Sequence, residues 1–265
     1  MKLSVNGREA FVATGGRDFD ASLPVVAFLH GAGFDHSTWA LHSRWFAHHG
    51  HAVLAPDLPG HGRSAGPALR NIGELADWTV ALLAAAGADK AHLIGHSMGS
   101  LIALEAAARH PERVSALSLI GTAAAMTVGP DLLKAAEAND QAAIDMVSIW
   151  GLGFQAELGG SQAPGLWMHG GAQSTLQHCR SGVLFTDLAA CNAYQDALAS
   201  AARITVPTTL ILGERDMMTP AKTGKTLAAA IAHSRTVVLQ GAGHMLMTER
   251  PDAVLAALVN SSSDH

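Results

Sequence analysis

Residues 91–109 read AHLIGHSMGSLIALEAAAR. The opening AHLIG suits a buried strand, and the closing run, rich in Ala and Leu, suits a helix stopped by Pro111. Between them Gly95-His96-Ser97-Met98-Gly99 matches the pattern G-x-S-x-G. That pattern sits on a sharp strand-to-helix turn which lifts a serine hydroxyl clear of a sheet. Small residues are needed at positions 95 and 99 because the turn brings backbone close to its neighbours. The helix that follows offers unpaired N–H groups and a positive dipole end, and Met98 N–H is the first of them.

Working outward, the same rhythm recurs. Residues 24–29 (PVVAFL), 52–55 (AVLA), 114–120 (VSALSLI), 207–212 (PTTLIL) and 235–239 (RTVVL) are short apolar runs of the kind a parallel sheet buries on both faces. Helices are expected between them, one capped by Ser37 and ending at Gly50, another over residues 72–86 and stopped by Gly87. An Asn6-Gly7 turn joins two short strands at the start. Alternation of strand and helix implies an α/β fold, a mostly parallel sheet with helices on both faces.

One stretch interrupts the rhythm. Residues 123–202 carry no strong buried strand, but helical pieces are expected around residues 131–138, 142–149 and 187–201. The expected organisation is a core of residues 1–122 and 203–265 with a helical cap insertion at 123–202. Trp150, Trp167 and Met168 in the insertion, with Phe34 from the core, are candidates for an apolar substrate pocket.

Two glycine-flanked segments follow late strands. Gly213-Glu214-Arg215-Asp216 comes after the run at 207–212, and Gly241-Ala242-Gly243-His244 after the run at 235–239. Open α/β sheets place ligands at the carboxyl ends of their strands. A serine hydroxyl is a poor nucleophile until a base takes its proton. Histidine suits that task near neutral pH, and a carboxylate fixes its tautomer. Among 15 histidines His244 stands out by its setting. Asp216 is the candidate acid, with Glu214 the nearest competitor. His30-Gly31-Ala32-Gly33, after the run at 24–29, can add a loop N–H to that of Met98 to hold an oxyanion.

Composition narrows the partners. Charged residues are 15% of the chain, hydrophobic residues 49%, and the net charge is −5 without a basic run, which argues against nucleic acid. No apolar run reaches membrane-spanning length. Residues 1–11 are polar and lack a signal-peptide core, so the expected location is cytoplasmic. Cys179 and Cys191 form no CxxC or zinc spacing, and His48, His49 and His51 lack a carboxylate to complete a metal site. There is no GxGxxG after the first strand and no P-loop. No cofactor and no metal are expected. The expected partner is a small-molecule substrate, and the oligomeric state stays open.

HGAG, DLPGHGRS at residues 57–64, GHSMG, GERD and GAGH together resemble the α/β-hydrolase superfamily. The resemblance runs from about Pro24 to about Leu258 and is weakest across residues 122–203. It implies a serine hydrolase with a helical cap, with Ser97, Asp216 and His244 as triad and the N–H groups of Ala32 and Met98 as oxyanion hole. It makes Asp57 part of a structural loop. In some relatives the acid follows the previous strand. Here that position is Gly121-Thr122, with no carboxylate, which favours Asp216. The expected reaction is hydrolysis of a small or medium carboxylic ester through an acyl-enzyme on Ser97. Carbon–carbon bond hydrolases, lactonases, thioesterases and perhydrolases share the triad. So do small-molecule receptors with slow turnover, whose opening loop HGAGFDHSTW also resembles.

Overall fold

The computed structural model describes residues 1–160 and 166–262, with side chains to Val259. Among these residues eight strands form one sheet in the order β1-β2-β4-β3-β5-β6-β7-β8. They are Lys2–Val5, Arg8–Ala13, Val25–Leu29, Ala52–Pro56, Ala91–His96, Val114–Ile120, Thr208–Gly213 and Arg235–Leu239. β1 and β2 pair antiparallel, as do β2 and β4, and every later pairing is parallel. Asn6 and Gly7 both take positive φ, 49° and 75°, as a two-residue hairpin turn requires.

The central strands are buried on both faces because the pleat sends alternate side chains into two separate cores. Val25, Ala27 and Leu29 of β3 enter one core, while Val26 and Phe28 enter the other. Leu210 and Leu212 of β7 divide from Ile211 in the same way.

The helices in chain order are α1 (Ala40–Ala47), α2 (Ile72–Ala85), α3 (Met98–Arg109), α4 (Pro130–Glu137), α5 (Gln141–Trp150), α6 (Phe154–Glu157), α7 (Met168–His178), α8 (Val183–Ala193), α9 (Ala197–Ala201), α10 (Ala221–Ala229), α11 (Leu246–Glu249) and α12 (Pro251–Ser262). α2, α3 and α10 feed the first core, and α1 and α12 the second. No helix among the described residues is long and apolar enough to cross a membrane.

Three expectations shift. Ser37 does not cap α1. Asp35 accepts from Ser37 N–H and Oγ and starts a 3-10 turn, His36–Trp39, that leads into the helix. The helix expected over 187–201 is two, because Tyr194 turns extended at φ −79°, ψ 108°. α7 was not expected. Its sequence MHGGAQSTLQH holds two glycines and few apolar residues, so neither propensity nor periodicity marks it.

The chain runs from β3 outward to β4, then returns to β5 on the other side of β3. The loops leaving β3 and β5 therefore emerge side by side at the carboxyl edge, where such a reversal opens a crevice. Leu29 lies opposite Gly95 in this register, so the HGAG loop faces the GHSMG turn.

Candidate active site

Ser97 holds φ 51° and ψ −121°, a conformation that L residues rarely adopt. The turn is pinned from both sides. Ser97 N–H donates to Ile120 O at 2.9 Å, and Ser97 O accepts from Ser100 N–H at 2.8 Å and Ser100 Oγ at 2.6 Å. A Cβ on Gly95 would fall on Gly99 O, and one on Gly99 on Leu29 O, so backbone packs where side chains would stand.

Asp216 and His244 meet beside this turn. His244 Nδ1–H donates to Asp216 Oδ2 at 2.8 Å. Asp216 Oδ1 accepts from the N–H groups of Met218 and Thr219, at 2.9 and 2.7 Å. Thr219 Oγ1 donates to Asp216 Oδ2 at 2.7 Å and lies 3.1 Å from His244 Nδ1. Burial pushes the Asp216 carboxyl up, but the His244 charge and these donors outweigh it and hold the group below its ordinary range. The carboxylate is therefore an acceptor only, which fixes the His244 proton on Nδ1 and leaves a lone pair on Nε2.

His244 Nε2 is buried without a hydrogen-bond partner among the described residues. No hydrogen bond joins it to Ser97 Oγ, yet both residues line one cavity of about 210 Å³. Gly31, Ala32, Phe34 and Trp150 line that cavity too. The N–H groups of Ala32 and Met98 find no acceptor among the described residues. Met98 is the first residue of α3, where such groups are free by geometry.

Trp167 and Met168 do not line this cavity, contrary to the expectation for them. They border a neighbouring one with Phe34, Leu152 and Met245. Trp167 precedes α7 and is 69% exposed, whereas Met168 is buried in the second core.

Other carboxylates are engaged elsewhere. Glu214 accepts from Gly241 N–H at 3.0 Å and makes no hydrogen bond to His244. Asp57 accepts from His36 N–H and Nδ1 through Oδ1, and from Arg63 N–H through Oδ2. Asp35, His36 and Asp57 form the one grouping among the described residues that could hold a metal ion, and there His36 and Asp57 already bond each other.

Several supporting residues escaped the sequence reading. Thr219 orients the Asp216–His244 pair. Glu249, fully buried, accepts from Gly243 N–H and Gly153 N–H at 3.0 Å, tying the His244 loop to the start of α6. His244 N–H and Met245 N–H both donate to Gly151 O. His96 Nε2–H donates to His244 O at 2.9 Å, and burial drives its pKa down to about 3, so it packs as a neutral ring. Glu249 and Gly151 carry no sequence signal, since they bond partners that lie far away in the chain.

Comparison with known proteins identifies the fold family. Pimeloyl-(acyl-carrier protein) methyl ester esterase of Neisseria meningitidis serogroup B is 30% identical over 248 residues, 87% of this chain and 90% of that protein. The dihydrolipoyllysine-residue acetyltransferase component of the acetoin cleaving system of Pseudomonas putida is 41% identical over 105 residues, which span 39% of this chain but 28% of that protein. The enol-lactonase of Burkholderia xenovorans LB400 superposes with a TM-score of 0.89 at 26% identity, covering 99% of this chain and 100% of that one. The model of the alpha/beta hydrolase fold family matches residues 24–251. A serine at the elbow after β5 and a match across most of the sheet lead to one assignment: the chain belongs to the alpha/beta hydrolase fold family.

Proposed function

We propose that this chain is a serine hydrolase of carboxylic esters, with Ser97 as nucleophile, His244 as base and Asp216 as the acid that orients it. The observation that carries the reading is the bare His244 Nε2 in the cavity that Ser97 lines, its tautomer fixed by Asp216. Ser97 Oγ attacks the ester carbonyl carbon and gives its proton to His244 Nε2. The negative charge that develops on the carbonyl oxygen is met by Ala32 N–H and Met98 N–H. Collapse expels the alcohol, which takes the proton from His244, and leaves an acyl group on Ser97. Water then attacks the acyl carbon as His244 takes its proton; breaking the C–Oγ bond releases the carboxylic acid, and His244 returns the proton to Ser97 Oγ.

The cavity supports an uncharged acyl group. Among the described residues no Lys, Arg, Asp or Glu lines it, and Met126, Leu132, Val147, Leu188 and Met218 make much of its wall. Residues 123–202 are read as a cap, since α4, α5 and α8 each contribute to that wall. An ester C–O bond is also what the names of the methyl ester esterase and the enol-lactonase describe for those proteins. Two measurements test the reading. A fluorophosphonate should label Ser97 alone, and p-nitrophenyl esters of short acyl chains should be turned over by the parent and not by Ser97→Ala. Labelling at another serine, or none in folded protein, would overturn the nucleophile.

A further inference from the structure

A second buried carboxylate–imidazole pair lies on the far side of the HGAG loop. Asp187 sits on α8, within the proposed cap, and is only 1% exposed. Its Oδ2 accepts from His61 Nε2 at 2.7 Å and from Gly33 N–H at 2.8 Å. His61 is 1% exposed as well, and its Nδ1 faces Pro59 O at 3.1 Å. A carbonyl oxygen only accepts, and so does a carboxylate. Both ring nitrogens of His61 are therefore placed to donate, which is the bonding pattern of an imidazolium.

Gly33 immediately follows Ala32, whose N–H is the loop's proposed oxyanion donor. Gly33 takes φ +72°, and a Cβ there would press Leu176 Cδ2 and Leu184 Cδ1 at 2.9 Å, both from cap helices. The other end of the loop is held by the core. Leu58 N–H donates to His30 Nε2 at 3.1 Å, and His30 Nδ1–H to Gly31 O at 2.9 Å. The His30 and His61 rings are 4.9 Å apart. The loop is thus fixed at His30 by the core and at Gly33 by Asp187.

Resting on the proposed function, we propose that Asp187 is a positioning residue for the oxyanion site, holding the Ala32–Gly33 peptide from the cap while His61 balances its charge. The balance matters because an unpaired carboxylate behind Gly33 would oppose the negative charge that forms at Ala32 N–H. Burial lowers the proton affinity of His61, but the Asp187 charge, its hydrogen bond and that of Pro59 outweigh it and hold the ring protonated above the ordinary histidine range. Asp57 adds to that attraction, and His30 is kept neutral, its pKa lowered to about 4 by burial. Cys179 and Cys191 also face Asp187, and burial with that charge pushes both thiols up, so they stay uncharged.

The test uses the whole chain, a p-nitrophenyl ester and a fluorophosphonate. Asp187→Ala should lower kcat and the rate of Ser97 phosphonylation by about ten- to a hundredfold, the scale of an ångström-level misplacement at a reacting centre, with KM nearly unchanged. Asp187→Asn keeps an acceptor for Gly33 N–H and should lose less. His61→Gln keeps a donor but leaves the carboxylate unbalanced. The double variant His61→Gln/Asp187→Asn should therefore regain part of the rate that His61→Gln loses. Folded Asp187→Ala with parental kcat, or altered only in KM and acyl-length preference, would overturn the proposal. So would a double variant no faster than His61→Gln. If the variants fail to fold, nitrogen NMR of the unmutated protein decides it. Protons on both His61 ring nitrogens at pH 6.5 support the proposal, and a proton on one alone overturns it. Absence of Ser97 labelling in the unmutated protein would instead defeat the proposed function itself.

Discussion

Two buried aspartate–histidine pairs have nearly equal lengths, 2.8 Å for Asp216–His244 and 2.7 Å for Asp187–His61, and they part most clearly at the far ring nitrogen. His244 bonds Asp216 at 2.8 Å and leaves its second nitrogen without a partner among the described residues. His61 bonds Asp187 at 2.7 Å and spends its second nitrogen on Pro59 O. The first ring can receive a proton from a neighbour, and the second has nowhere to put one. The proximity of a carboxylate therefore does not make a histidine a base; the freedom of its far nitrogen does. The pairs also differ in origin. Asp216 and His244 both follow strands of the sheet, whereas Asp187 comes from α8, one of the helices between β6 and β7.

The largest separation should appear on removing each carboxylate charge. Asp216→Asn should reduce kcat on the order of 10⁴-fold while the protein stays folded, because His244 is left in the wrong tautomer. Asp187→Asn should fall far short of that. Equal losses in stopped-flow and steady-state assays would erase the distinction between a base partner and a loop support.

Within the proposed cap, contact with the acyl chain should separate from mere location. Trp150 lines the Ser97 cavity, so Trp150→Ala should shift relative kcat/KM across acyl lengths by roughly 1–3 kcal/mol per methylene. Trp167→Ala should leave that profile in place, since Trp167 borders the neighbouring cavity. An acyl-length ladder run on both variants shows which tryptophan the substrate meets.

A smaller effect is expected at Thr219. Its hydroxyl is the only side-chain donor to Asp216 besides His244 among the described residues. Thr219→Val should cost up to about tenfold in kcat, the scale of one hydrogen bond of roughly 0.5–1.5 kcal/mol. Among the described residues no further side chain donates to Asp187, so a similar loss there has no counterpart.

The gentlest test is pH. The folded His61 pKa is raised above its ordinary value of 6.5. Its contribution to stability is therefore whole below about pH 6.5 and fades as pH rises through the folded value. Melting of the parent should fall toward that of His61→Gln across this alkaline range, by a few degrees if about 1 kcal/mol is lost. The Asp216 pair runs the other way. That carboxyl is held low, so its contribution is whole above about pH 4 and is lost only as acid titrates it.

What could be read from the sequence follows from where the chemistry sits. Ser97, Asp216 and His244 each follow a short apolar strand within a glycine-bearing turn, and such turns are local features of sequence. The pocket was harder. Trp150, Trp167 and Met168 share the apolar character of residues in the 123–202 stretch, but α7 starts at Met168 and carries it into the second core. Asp187 leaves a trace in the sequence. It is the lone acid on the stripe Val183, Asp187, Ala190 and Cys191, all buried on α8. A charge in an apolar stripe asks for a partner, but only the fold supplies His61, 126 residues earlier. Glu249 and Gly153 show the same limit, since this buried carboxylate finds an N–H donor 96 residues away.

The backbone of Ser97 carries a consequence for stability engineering. At φ 51° and ψ −121° any side chain is strained, by about 1–3 kcal/mol, and glycine alone is at ease. Function and thermal endurance therefore pull against each other at this single position. Of two inactive variants, Ser97→Gly should melt above Ser97→Ala, although it removes more atoms and loosens the unfolded chain. Attempts to raise the melting temperature by relaxing this turn would trade away the placement of the proposed nucleophile, so heat tolerance has to be sought elsewhere in the molecule.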